Sequence, residues 1–304
     1  MLGAAAMEST PGSIDPRQAY RFCLDEAFSL EVYRSLSKLE KDEERRRILS
    51  KLAEDEERHY EFWREYAGKD CRPGYWRVWL FKLSYVLLGP LFTIKLLERG
   101  EESAIREYAS LLGRLSGEAR STLEALIKDE ESHEKELIGI LSDPRLKYLG
   151  FVALGLADAI VEITGVNAGF LGATENTVIV GLAGLIVGFS AALSMAGASY
   201  LQSKHEKRVS PTKSAVVTGL AYILSVLLLV APFFTMRSLP AAFAASVTAS
   251  VLLTGVFTYY SSVVEDKEFK REFLESLSLL LGIALASYLL GAALSRHLGI
   301  STGV

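Results

Sequence analysis

Two stretches, LAEDEERHYEFW at residues 52–63 and LIKDEESHEKEL at 126–137, each set a glutamate three residues before a histidine in a highly charged run. Residues three apart on an α-helix share a face. Glu56 and His59 can therefore reach one metal ion together, and so can Glu130 and His133. A carboxylate can bridge two ions while an imidazole caps one of them. Two such pairs, joined by one glutamate from each of two further helices, make up the di-iron or di-manganese centre built inside four-helix bundles. Glu26 and Glu101 are candidates for those two places, because each stands seven residues before a tyrosine, Tyr33 and Tyr108. Corresponding positions are 75 residues apart (26/101 and 33/108) or 74 apart (56/130 and 59/133), so the whole constellation is duplicated.

Glu-x-x-His alone is a weak signal in a chain with 37 acidic residues; four aligned elements are a strong one. Glu98 and Glu102 compete with Glu101 for the third-helix position, and Glu31 competes with Glu26. Glu43, Glu44, Glu54, Glu57, Glu61, Glu131 and Glu134 read as a solvated face. Tyr33 and Tyr108 suit hydrogen bonding to the carboxylates better than ligation. Carboxylate and imidazole favour iron or manganese and do not exclude zinc.

The elements that must position these residues read as helices: about 15–39, opened by Asp15-Pro16; one ending at Ala67 with Gly68 as its cap; then about 98–115 and 117–141. Pro144 closes this part. Between the two helix pairs lies YWRVWLFKLSYVLLGPLFTIKLLE (75–98). Its Lys82, Lys95 and Gly89-Pro90 break argue against a membrane span, and it is expected to be the crossover, lying along a membrane surface. A span there would put the two halves of the bundle on opposite sides.

Charge divides unevenly. The first 148 residues hold 24 of the 33 Lys/Arg and 28 of the 37 Asp/Glu. Beyond them five apolar segments follow, about 149–172, 177–201, 213–234, 239–262 and 273–294, each long enough to cross a hydrocarbon core of about 30 Å. The second and fourth connections carry the charge, with Lys204, Lys207, Arg208 and Lys213 in the second. By the positive-inside rule those face the cytoplasm, which leaves the N-terminal domain cytoplasmic and the C-terminus outside. The expected fold is all-α: a helical domain at 13–145, then a five-helix transmembrane domain at 146–304.

The first span contains Asp158 and Glu162, four apart on one face. A carboxylate at membrane depth costs roughly 2.5–3.5 kcal/mol on insertion scales and marks a functional site. Gly155, Gly165 and Gly169 fall within about 60° of Asp158 at 100° per residue, so the acids are expected to share a face with residues that permit close helix approach. Asn167 points roughly the other way. In the second span Gly181, Gly184, Gly188, Ala191 and Met195 share a face that Ser199 continues, and a thioether there is a soft ligand.

Residues 15–141 resemble the rubrerythrin-like branch of the ferritin superfamily, through E26…Y33, E56-E-R-H59, E101…Y108 and E130-E-S-H133; the rubredoxin-type four-cysteine module is absent. GLADAIVEITGVNAG and ALSMAGASYLQSKHE resemble the vacuolar iron transporter family, in which an Asp of the first span and a Met of the second lie on the metal path; these match Asp158 and Met195. Ser199 stands where members often carry a glutamate, and the connection after the second span lacks the long acidic insertion of plant members. The combination is similar to the architecture called membrane-bound ferritin. The resemblance implies an iron (or manganese) transporter in the cell membrane, exporting cytoplasmic Fe²⁺ in exchange for protons. Glu26, Glu56, His59, Glu101, Glu130 and His133 would collect the metal, and Asp158, Glu162 and Met195 would line the path. It also implies a homodimer with the glycine faces of the first spans in contact. The alternative is a membrane-anchored di-iron ferroxidase or peroxidase.

The start, MLGAAAMESTPGS, lacks the basic region of a signal peptide, and Met7 is a second possible start. No Lys/Arg cluster is dense enough for nucleic acid. Cys23 and Cys71 are too few for a disulfide framework and are expected to be reduced thiols.

Overall fold

The computed structural model describes residues 14–140, 148–206 and 209–298. Pro144, Lys207 and Arg208 lie outside the described residues, as do the side chains of Glu102 and Glu134. Ten α-helices and one 3₁₀ turn make up the described elements, with no strand among them. The chain divides into two compact units, Met1–Ser142 and Asp143–Val304.

In the first unit α1 (Pro16–Leu39) begins where Asp15 accepts from the Arg17 amide, with Pro16 in the first turn. Such a cap satisfies an amide that the helix leaves without a partner. Asp42 caps α2 (Glu43–Ala67) in the same way through the Arg45 amide, and Gly68, at φ +66°, ends it in the left-handed region that favours glycine. Helix α3 (Tyr75–Leu87) stops before Gly89, whose φ is +92°, and Pro90 starts α4 (Pro90–Leu111). A 3₁₀ turn then leads to α5 (Gly117–Ile140).

The segment 75–98 is therefore two helices rather than one crossover, and the third long helix begins at 90 instead of 98. Its apolar start serves the interior: Leu91, Phe92, Ile94 and Leu97 are all buried. α3 is the short connecting helix. It buries Val78 and Tyr85 and leaves Trp76, Trp79, Val86 and Leu87 exposed. None of the helices long and apolar enough to cross a membrane lies in this segment.

Two apolar clusters fill the unit. One joins Val32, Tyr33, Leu36, Leu49, Leu52, Ile94 and Leu97. The other joins Phe22, Ala27, Trp63, Tyr108, Leu123 and Leu126. Along α1 and α2 they occupy successive levels, with Glu26, Glu56 and His59 where the two meet. Cys23 and Cys71 are joined in a disulfide, contrary to the expectation of two thiols. The left-handed turn at Gly68 brings the chain back from the end of α2, so that Cys71 packs in the same cluster as Cys23.

The second unit holds the five apolar helices: α6 (Leu149–Ala173), α7 (Thr177–Ser203), α8 (Pro211–Thr235), α9 (Leu239–Val264) and α10 (Phe269–Leu298). All five are long and apolar enough to cross a membrane, and the protein is a membrane protein on that ground. α6 packs against all four others.

Small residues allow the close approach. A Cβ on Gly155 would lie 2.7 Å from the Thr218 carbonyl oxygen, and one on Gly291 only 1.9 Å from that of Gly169. Gly155, Gly165 and Gly169 thus pack against α8 and α10 of their own chain. Several buried hydroxyls are satisfied locally: the Ser246 hydroxyl donates to the Leu229 carbonyl at 2.7 Å, and those of Thr164 and Ser250 pair at 2.7 Å, whereas the Ser199 hydroxyl has no hydrogen-bond partner among the described residues.

Candidate metal centre

Six side chains from α1, α2, α4 and α5 converge in the first unit. Glu26, Glu56, His59 and Glu130 each offer a ligand atom, all within 4.8 Å of one another. Glu56, Glu101, Glu130 and His133 form a second such group. Glu56 and Glu130 belong to both, so two adjacent four-donor groups share two carboxylates. The i,i+3 spacing sets this up: each of α2 and α5 turns one Glu and one His onto the same face.

The imidazoles face the shared carboxylates through Nδ1. His59 Nδ1 lies 2.9 Å from Glu130 Oε1, and His133 Nδ1 lies 3.4 Å from Glu130 Oε2 and 3.6 Å from Glu56 Oε1. The two rings stack at 6.0 Å. Their far nitrogens point at aspartates on opposite helices: His59 Nε2 is 3.7 Å from Asp129 and His133 Nε2 is 3.5 Å from Asp55. Arg58 joins the aspartates, 2.7 Å from Asp55 and 3.0 Å from Asp129. Sequence reasoning missed this pair. Its signal was present, since Asp55 and Asp129 each precede a shared glutamate within the duplicated segment.

The tyrosine hydroxyls cross between helices. Tyr108 on α4 donates to Glu26 on α1, and Tyr33 on α1 donates to Glu98 on α4. Among the third-helix candidates, Glu101 joins the donor group, fixed by a 2.6 Å hydrogen bond from Ser29, while Glu98 is the acceptor for Tyr33. Glu31 lies at the surface, 4.0 Å from Arg34.

The electrostatics demand positive charge. Burial and the neighbouring Glu130, Glu101 and Glu26 hold the Glu56 carboxyl well above its usual range. Burial alone would lower His59, but Glu130 and Glu26 outweigh it and push the imidazole up to about 10. Burial alone would raise Glu130; His133 and His59 reverse that and hold it down to about 2. Both oxygens of Glu56, both nitrogens of His59 and His133, and one oxygen each of Glu101 and Glu130 are buried with no hydrogen-bond partner. A buried polar atom without a partner costs about 1–3 kcal/mol. Eight together in an apolar interior fit a ligand set for a cation, and the mixture of carboxylate and imidazole suits a divalent transition metal.

In the second unit Asp158 and Glu162 of α6 and Ser190, Ser194 and Met195 of α7 line one groove of about 510 Å³. Tyr222 of α8 donates a hydrogen bond to Glu162. Asp158 is exposed at the surface of this unit. Asn167 lies away from the groove, donating to Ser246 at 3.2 Å, and Ser199 is buried.

No family model, no curated protein and no solved structure matches this chain.

Proposed function

We propose that the protein is a divalent metal transporter, with Fe²⁺ as the preferred cargo and Mn²⁺ as the second, whose ferritin-like first unit collects the metal for a path through the second. The observation that carries the reading is that one membrane-spanning chain holds both a buried six-donor cluster and a carboxylate-lined groove. Asp158 lies nine residues into α6, about 13 Å along its axis. Met195 lies eight residues before the end of α7. A carboxylate, a second carboxylate and a thioether therefore meet at one depth inside the membrane. A carboxylate left against lipid costs roughly 2.5–3.5 kcal/mol. A second copy covering the groove removes that cost and lines a path from both sides, in the C2 arrangement commonest among homo-oligomers. The packed glycines of α6 leave the α6–α7 groove as the surface for this contact.

In this reading the first unit is cytoplasmic, the cargo leaves the cell, and protons returning through Asp158 or Glu162 release it, because a bound carboxylate must be deprotonated. The test is metal flux into proteoliposomes. Asp158→Ala is expected to abolish flux, and His59→Ala/His133→Ala to remove metal from the first unit. Unchanged flux with Asp158→Ala overturns the transporter.

A second reading, a di-metal oxidase or peroxidase anchored in the membrane, is favoured by the two shared carboxylates, which set two metals side by side. Multiple-turnover O₂ or peroxide consumption with Fe²⁺ by the Asp158→Ala protein would support it.

A further inference from the structure

A cavity of about 280 Å³ opens between α1 and α4 and reaches the metal-binding cluster. Its inner wall includes Glu26, Glu101 and Glu130, and Glu101 and Glu130 each present a buried oxygen with no hydrogen-bond partner. Its outer wall holds Arg21, Asp25 and Glu107. Arg21 and Glu107 form an ion pair across the opening, from α1 to α4, with Arg21 exposed and Glu107 partly exposed. Arg77, the other cation of the lining, stacks on the Phe28 ring.

The lining carries five carboxylates against two guanidiniums, which gives an acidic funnel that raises the local concentration of cations and repels anions. The Arg77 guanidinium lies over the Phe28 ring, and that of Arg21 lies over the Phe22 ring and pairs with Glu107. Gly100 lies inside α4, where glycine weakens a helix relative to alanine. A Cβ built on it meets no atom within 4 Å, and the residue lines this cavity. Packing does not demand glycine there, so the position has room for a larger side chain that would fill the cavity.

We propose that this opening is the entrance through which a divalent cation reaches the centre, with the Arg21–Glu107 pair as its gate. The inference rests on the metal reading above. With the pair closed, an approaching cation meets a guanidinium. An exposed pair is held only weakly, and exposed side chains change rotamer in picoseconds to nanoseconds. When Arg21 swings into solvent, Asp25 and Glu107 stand as a two-carboxylate step before Glu26 and Glu101.

The test is the rate of Co²⁺ loading into the full-length metal-free protein in detergent, followed by stopped-flow visible absorbance, together with Co²⁺ content at equilibrium. Asp25→Asn/Glu107→Gln is expected to load about tenfold more slowly at low salt and at the wild-type rate at 1 M salt, where charges are screened beyond about 3 Å. Arg21→Ala is expected to load about threefold faster. Gly100→Phe, which plugs the passage without changing a charge, is expected to load at least tenfold more slowly at every salt concentration. Glu124→Gln, an exposed acid on α5, controls for net charge and is expected to load as wild type does. All of these proteins should reach the same final Co²⁺ content. Wild-type rates in the charge, gate and plug variants would overturn the entrance. Failure of the metal reading looks different: wild type would bind no Co²⁺, or His59→Ala/His133→Ala would bind as much as wild type.

Discussion

Asp55 and Asp129 provide the sharpest test of how the centre is held. Each carboxylate faces the outer nitrogen of a histidine whose inner nitrogen faces the shared glutamates, at 3.5 Å for His133 and 3.7 Å for His59. A carboxylate in that place fixes the ring orientation and raises imidazole basicity, and losing it typically lowers metal affinity 10–100-fold. Both distances exceed hydrogen-bond length, and Arg58 competes for both aspartates. The effect should therefore sit at the lower end: about tenfold, or about 1.4 kcal/mol, for Asp55→Asn and Asp129→Asn separately. The two share Arg58, so the double variant should depart from simple addition. Competition for Co²⁺ against a chromophoric chelator, on the full-length protein at fixed pH, measures this directly. If both single variants bind within twofold of wild type while their thermal midpoints fall, the aspartates only anchor Arg58, and the orienting role is wrong.

Three further outcomes follow from the same geometry. Metal must displace protons from Glu56, whose carboxyl is held well above its usual range, and from His59, pushed up to about 10. Affinity should thus fall as pH falls and rise as pH rises toward 10, with proton release seen by calorimetry in buffers of different ionisation enthalpy; a flat profile between pH 6 and 9 refutes it. The Cys23–Cys71 bond spans 48 residues and should stabilise the first unit by about 4 kcal/mol on the loop-entropy estimate, so a reductant should lower its melting midpoint by several degrees. Two titratable thiols in unreduced, denatured protein would contradict the bond. Gly291→Ala should disrupt the α6–α10 contact and lower the yield of folded membrane unit, whereas Gly282→Ala, with nothing within 4 Å of an added Cβ, should not; equal melting of the two in detergent would refute the packing argument.

What could be read from the residues was what repeats. The 74- and 75-residue offsets picked out six side chains that converge into two groups able to hold a metal, and the five apolar runs are helices long and apolar enough to cross a membrane. What stayed hidden depends on which helix lies beside which. Spacing within α1 and α4 pairs each tyrosine with the glutamate of its own helix. Only the packing of one against the other shows that the bonds cross, Tyr108 to Glu26 and Tyr33 to Glu98 rather than Glu101.

The apolar stretch before Leu97 looked like crossover because hydrophobicity does not say what it is buried against; in the fold it faces Val32, Leu36 and Leu52. The disulfide depends on a turn at Gly68 that brings residues 48 positions apart into contact. Glycines are the most ambiguous of these signals. A helical wheel finds Gly155, Gly165 and Gly169 on one face but cannot tell a neighbour in the same chain from one in a second copy. Atoms of α8 and α10 lying within 4 Å of a Cβ built on each glycine show neighbours in the same chain. Asp158 then stands exposed beside a filled face rather than within an open one, and it is this acid that the proposed second copy would cover. Those small residues of α6 are packed within one chain, and the acid is not.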